Sequence, residues 1–110
     1  MIIDAAAVKN IKPLYSDDSS MFDTFKAWND GEVYLQMAYN AYYTNYEIAL
    51  INTWFAAKVV YPHLFGDIDM TEKTNEVCKM FLGQEMAEEI FDCPTSFGGY
   101  KRINTSIFFG

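Results

Sequence analysis

Tyr46-Glu47-Ile48-Ala49-Leu50-Ile51-Asn52-Thr53-Trp54-Phe55-Ala56-Ala57-Lys58-Val59-Val60-Tyr61 is the most hydrophobic stretch of the chain, with Glu47, Asn52, Thr53 and Lys58 its only polar residues. It holds no glycine or proline, and its apolar side chains point in nearly every direction around a helical axis, so it predicts a helix. Glu47 and Lys58 fall on nearly the same bearing and leave one narrow wet edge. A helix apolar almost all round either lies at the centre of a bundle or shares a face with a partner. A membrane span is a poor reading. Sixteen residues containing Glu47 and Lys58, followed by Pro62, are too short and too charged for a bilayer core.

Upstream, the whole of Glu32 to Tyr61 is free of glycine and proline. The weak helix propensity of Tyr42-Tyr43-Thr44-Asn45 divides it into two helices rather than one, with Asn45 capping the second. Tyr39, Tyr42, Tyr43 and Tyr46, spaced i, i+3, i+4, i+7, then share one helical stripe. Tyrosine combines a large apolar body with a polar tip, so the stripe reads either as an interface or as padding at the rim of the core. Earlier still, Asp4 is placed to cap a helix from Ala5 to about Ile11, stopped by Pro13. Ser20 with Asp23 resembles a capping box opening a second helix, with Phe22, Phe25 and Trp28 on its apolar stripe and Asn29-Asp30-Gly31 ending it.

Downstream, Pro62 to Gly66 reads as a connector. Asp69 with Glu72 makes a second capping box, and the helix behind it turns Val77, Phe81, Ala87, Ile90 and Phe91 inward, with Gly83 breaking or weakening it. Its outer face carries Glu72, Glu76, Glu85, Glu88 and Glu89, and Cys93-Pro94 closes it. The tail alternates: Ile103, Thr105, Ile107 and Phe109 fall on one face of a strand over 101–109. No convincing partner strand is visible upstream, and a lone strand cannot satisfy its own backbone. The expected fold is therefore mainly α. It is a single domain over 1–110, a small bundle of four to five helices around the apolar helix 46–61, with a C-terminal β-strand over 101–109.

Charge narrows the function. The net charge is −7, and it is uneven. Residues 1–65 carry seven acids and four bases, residues 66–96 eight acids and two bases, and residues 97–110 two bases and no acid. Direct nucleic-acid binding rests on clustered Lys and Arg, so this balance argues against it while leaving a basic protein surface open as a partner. Met1-Ile2-Ile3-Asp4 has neither the basic region nor the long apolar run of a secretory signal, so a cytoplasmic protein with two reduced thiols, Cys78 and Cys93, is expected. Asn104-Thr105-Ser106 then matches a glycosylation sequon only by coincidence.

Catalytic chemistry finds little to stand on. His63, the one histidine, sits in the connector and reads as a surface residue. Two cysteines and one histidine do not make a zinc site, and no glycine-rich loop follows a strand to cradle a phosphate. Glu88-Glu89 lies on a helix bristling with carboxylates and reads as a solvated face. No cofactor, no metal and no catalytic residue is expected. The candidate partner-binding residues are Tyr39, Tyr42, Tyr43 and Tyr46, the acids Glu85, Glu88 and Glu89, and Lys101, Arg102 and Ile103 of the tail. Lys101 and Arg102 directly follow the acidic helix and are placed to pair with it within one subunit or across a ring of subunits.

Two resemblances follow from these elements. The opening helix closed by Ile11-Lys12-Pro13-Leu14-Tyr15, the Ser16-Asp17-Asp18-Ser19 turn, the apolar helix with Ala49-Leu50-Ile51 and Ala56-Ala57, and the extended tail from Lys101 to Phe109 resemble in order the small helical head–tail connector proteins of tailed phages. The likeness covers about two-thirds of the chain, and the acidic helix from Asp69 to Asp92 has no clear place in it. It implies a ring-forming subunit between portal and tail, whose tail strand pairs with a neighbouring protein by strand addition, in the host cytoplasm and then the virion. In size, acidity and aromatic content the chain is also similar to anti-CRISPR, immunity and other host-takeover inhibitors. That likeness implies that the Glu-rich face and the tyrosine stripe occupy a basic groove of a nucleic-acid enzyme.

Overall fold

Asp4 stands where the chain turns from strand to helix. In the computed structural model, which describes residues 1–39 and 45–110, Ile2–Asp4 forms strand β1. The Asp4 carboxylate then accepts from the Ala6 amide at 2.8 Å and opens a 3-10 turn that runs into α1 (Val8–Asp17). The cap falls where the sequence places it, but the helix does not stop at Pro13. Proline removes one backbone bond at a cost of about 3 kcal/mol, yet Ile11 and Tyr15, one turn apart, both pack on the core and hold the helix in register. Asp18, not a Ser20–Asp23 box, caps the next segment by accepting from the Ser20 amide at 3.2 Å. That segment winds as a 3-10 helix over Ser19–Thr24, and α2 is only Lys26–Asn29. Phe22 and Trp28 are buried, whereas Phe25 remains exposed.

The largest departure comes next. The first half of the stretch expected to be helical holds strand β2 (Tyr34–Gln36). It is the middle strand of a three-stranded sheet, parallel to β1 with Ile3 opposite Leu35, and antiparallel to β3 (Lys101–Arg102) with Leu35 opposite Lys101. Val33, Leu35 and Met37 are almost wholly buried while Tyr34 and Gln36 between them are not, the period-two pattern of a half-buried strand. This hidden strand is the upstream partner that the C-terminal strand lacked.

The C-terminal strand is itself shorter than 101–109. The Ile103 amide still donates to the Val33 carbonyl at 2.9 Å. Asn104 then accepts from the Ile107 amide at 3.3 Å and caps a helical turn over Thr105–Phe109. Ile103 and Phe109 are buried but Ile107 is 78% exposed, so the expected alternating face does not form.

Between the sheet and the tail lie α3 (Tyr46–Val60), α4 (Pro62–Phe65), α5 (Met70–Leu82) and α6 (Ala87–Asp92); the last helical turn, Thr105–Phe109, is α7. Asn45 is the N-cap residue of α3 by position but makes no side-chain cap bond, and the expected connector is itself the single turn α4. The Asp69 carboxylate accepts from the Thr71 and Glu72 amides at 2.8 and 3.1 Å, the cap read from the sequence. Gly83, at φ 77°, ends α5 in the left-handed conformation that glycine adopts without strain. Asn75 on α5 accepts from the Ala87 amide at 2.9 Å and fixes where α6 begins. Val77 and Ala87 face inward, but Phe81 is 56% exposed.

One buried cluster runs from Ile3 to Phe109. At one end Trp28 stacks between Phe22 and Phe109, with ring centres 4.5 and 5.5 Å away, and Tyr15 leans on all three. At the other, Phe55 of α3 packs on Tyr100 at 4.9 Å and on Tyr34 of β2. Asn52 of α3, only 6% exposed, donates to the Met37 carbonyl at 2.8 Å and accepts from the Tyr100 hydroxyl at 2.6 Å. The protein is mainly helical with a small three-stranded sheet. Helix α3 does not stand at the centre of a bundle: Ile48, Ile51, Asn52 and Phe55 pack inward, and its opposite face is at the surface.

Candidate functional site

The outer face of α3 is built by helical spacing alone. Tyr46, Leu50, Ala57, Val60 and Tyr61 recur at intervals of three, four or seven residues opposite the buried face, with Thr53 the one polar interruption. Tyr46 is 76% exposed, Val60 60% and Tyr61 54%, and Leu64 on the separate turn α4 is exposed too, at 69%. Trp54 flanks the stripe, with the Lys73 ammonium 4.3 Å above its ring and Phe65 edge-on at 6.2 Å. The helix that is apolar almost all round thus buries one face and offers the other.

Of the tyrosine stripe, Tyr42 and Tyr43 lie outside the described residues. Tyr39 stands after β2 in non-helical backbone and Tyr46 opens α3, so these two share no helix. The Asn45 amide donates to the Tyr39 carbonyl at 2.7 Å.

The acidic candidates do converge. Glu85, Glu88 and Glu89, joined by Asp92, surround a hollow of about 410 Å³ beside Thr71, Asn75 and Phe91. Lys101 and Arg102 do not pair with them. Arg102 donates to the Gly31 carbonyl at 2.8 Å and to Glu32 at 3.3 Å, and Lys101 donates to the Phe97 carbonyl with its ammonium over the Phe108 ring. Ile103 is 5% exposed and belongs to the core rather than to a surface.

A groove of about 690 Å³ was not legible in the sequence. Tyr34, Phe55, Phe91 and Tyr100 lie within it, and Lys58, Lys101 and Arg102 stand along it together with Glu32 and Asp69. Lys58, half of the wet edge on α3, donates to the Ile68 carbonyl at 2.5 Å. Its isolation on an apolar helix was the one signal available; the other members come from separate segments of the chain. Burial above all, with Cys78 and Asp4 nearby adding to it, holds the Tyr100 phenol well above its ordinary range.

The remaining reactive groups are scattered. His63 is exposed on α4. Cys78 is wholly buried and burial raises its thiol, whereas Cys93 is exposed and lowered by the Thr95 hydroxyl 3.2 Å away. Among the described residues, no three His, Cys, Asp or Glu side chains gather within reach of one metal ion, and no helix is long and apolar enough to cross a membrane. No family model matches the chain, and no curated protein matches it.

Proposed function

We propose that this chain is a non-enzymatic assembly subunit that docks on another protein through the outer face of α3, as a phage head–tail connector or neck protein would. The observation that carries the reading is the exposed apolar stripe of Tyr46, Leu50, Val60, Tyr61 and Leu64. Large apolar side chains exposed on α3 and just beyond its end lose contact with water when a partner covers them, and aromatic residues are enriched at the centres of such contacts. The stripe replaces the C-terminal strand as the means of attachment, because that strand pairs with β2 inside the chain and the tail beyond it is helical. The subunit works in the host cytoplasm and is carried into the virion.

The test is light scattering on the purified chain, alone and with the neighbouring neck proteins, against the variant Leu50→Glu, Val60→Glu. Leu50 is 38% exposed and Val60 60%; melting curves check that the variant folds, and a buried contact at the stripe loses about tenfold or more in affinity. Unchanged binding of the neighbouring neck proteins by the variant removes the reading, whatever the chain does alone.

The convergence of Glu85, Glu88, Glu89 and Asp92 favours a second reading, a small acidic inhibitor seated on a basic groove of a nucleic-acid enzyme. Its mark is capture of a basic nuclease that is lost on reversing the three glutamates and kept by Leu50→Glu, Val60→Glu.

A further inference from the structure

The groove and the acidic hollow lie side by side and carry opposite charge. Thr71 and Phe91 line both, so a single wall separates them. In the groove Arg102 is neutralised by Glu32, and Asp69 is held by the amides at the start of α5. Lys58 and Lys101 have no carboxylate partner among the described residues and donate only to the Ile68 and Phe97 carbonyls. Across the wall, four carboxylates share the hollow with no base.

We infer that the chain pairs with a second copy of itself about a two-fold axis at this wall, the carboxylates of each copy seated along the groove of the other. A two-fold contact is self-complementary, since a residue meeting its counterpart from one side is met by it from the other. Adjacent fields of opposite sign meet that condition: rotation about the wall lays the Glu85, Glu88, Glu89 and Asp92 cluster over Lys58 and Lys101, twice. The occupant is chosen by charge. Two copies at −7 repel as wholes, and their unpaired lysines face the one surface that a second copy supplies in excess, carboxylate. Half-buried Phe91 lies at the axis in both copies, giving an apolar centre inside a charged rim, the ordinary anatomy of a protein contact. The pairing uses none of the outer face of α3 and does not depend on the function proposed for that face.

The experiment is sedimentation velocity on the full chain and on two single variants, Lys101→Glu and Glu88→Lys, alone and mixed in equal amounts. The unmodified chain dimerises, and raising the salt weakens the dimer about tenfold. Each variant alone sets like charges against each other at both contacts and is monomeric. In the equimolar mixture the two substituted side chains meet with opposite charge at one contact, and the native pair persists at the other, so the dimer returns. Glu88→Lys alters an exposed side chain, which guards against loss of folding, and melting curves confirm both variants. Leu50→Glu leaves the dimer intact. A monomeric unmodified chain, a dimer indifferent to both reversals, a mixture that stays monomeric, or a dimer abolished by Leu50→Glu overturns the proposal.

Discussion

Asn52→Leu tests the polar bridge that ties α3 to the sheet and to the turn before β3. Asn52 is 6% exposed and makes two side-chain bonds, to the Met37 carbonyl at 2.8 Å and from the Tyr100 hydroxyl at 2.6 Å. Leucine is close in size, so packing changes little, but two polar groups lose their partners. An unsatisfied buried group costs about 1–3 kcal/mol, and the added apolar burial offsets roughly 1 kcal/mol. For the two groups together the net loss is about 1–5 kcal/mol. For a domain of this size each kcal/mol lowers the melting temperature by about 4 °C, so a fall of about 4–20 °C is expected by circular dichroism. Tyr100→Phe removes one bond and leaves the Asn52 oxygen alone, a loss of about 1–2 kcal/mol. Because the two residues share a bond, the double variant loses less than the two single losses together. A melting temperature for Asn52→Leu within about 2 °C of the parent, or strict additivity with Tyr100→Phe, refutes the bridge as a stabilising element.

Alkaline titration follows from the same bridge. Burial holds the Tyr100 phenol above its usual value near 10, so the folded chain keeps a proton that the unfolded chain releases. Stability is thus retained below about pH 10 and falls as pH rises beyond it, and urea midpoints for Tyr100→Phe show a smaller fall. Gly99→Ala destabilises by about 2 kcal/mol. The backbone there has φ +103°, and an added Cβ meets the Phe91 ring at 2.8 Å, which a lowered urea midpoint would register. A thiol reagent titrates one cysteine in the native protein, Cys93, and two after unfolding, because Cys78 has no exposed surface; two fast-reacting thiols in the native state contradict that placement.

What was legible in the chain was local. The run from Tyr46 to Val60 is helical because unbroken apolar residues leave it no competing turn, and α5 begins behind Asp69 because its carboxylate satisfies amides two and three residues on. Gly83 stops that helix through its own backbone freedom. The nearness of Glu85, Glu88 and Glu89 was also readable, since they lie within five residues of one another, although Glu85 stands in the link before α6 rather than on a shared helix.

What remained hidden depends on distant partners. Strands of two and three residues are too short to announce a period, and Tyr34–Gln36 becomes a strand only because Ile2–Asp4 and Lys101–Arg102 flank it. The tail's alternation was genuine in sequence, but five residues fit a helical turn equally well. The Asn104 cap and the burial of Phe109 against Trp28 select the turn. The groove joins Tyr34, Lys58, Phe91 and Lys101, which stand far apart along the chain. By itself, then, the sequence determined the caps at Asp4 and Asp69, the stop at Gly83, the apolar rod and the placement of charge. Tertiary structure decided which face of the rod meets water and which charges meet each other, because burial and pairing belong to contacts between segments rather than to any one of them.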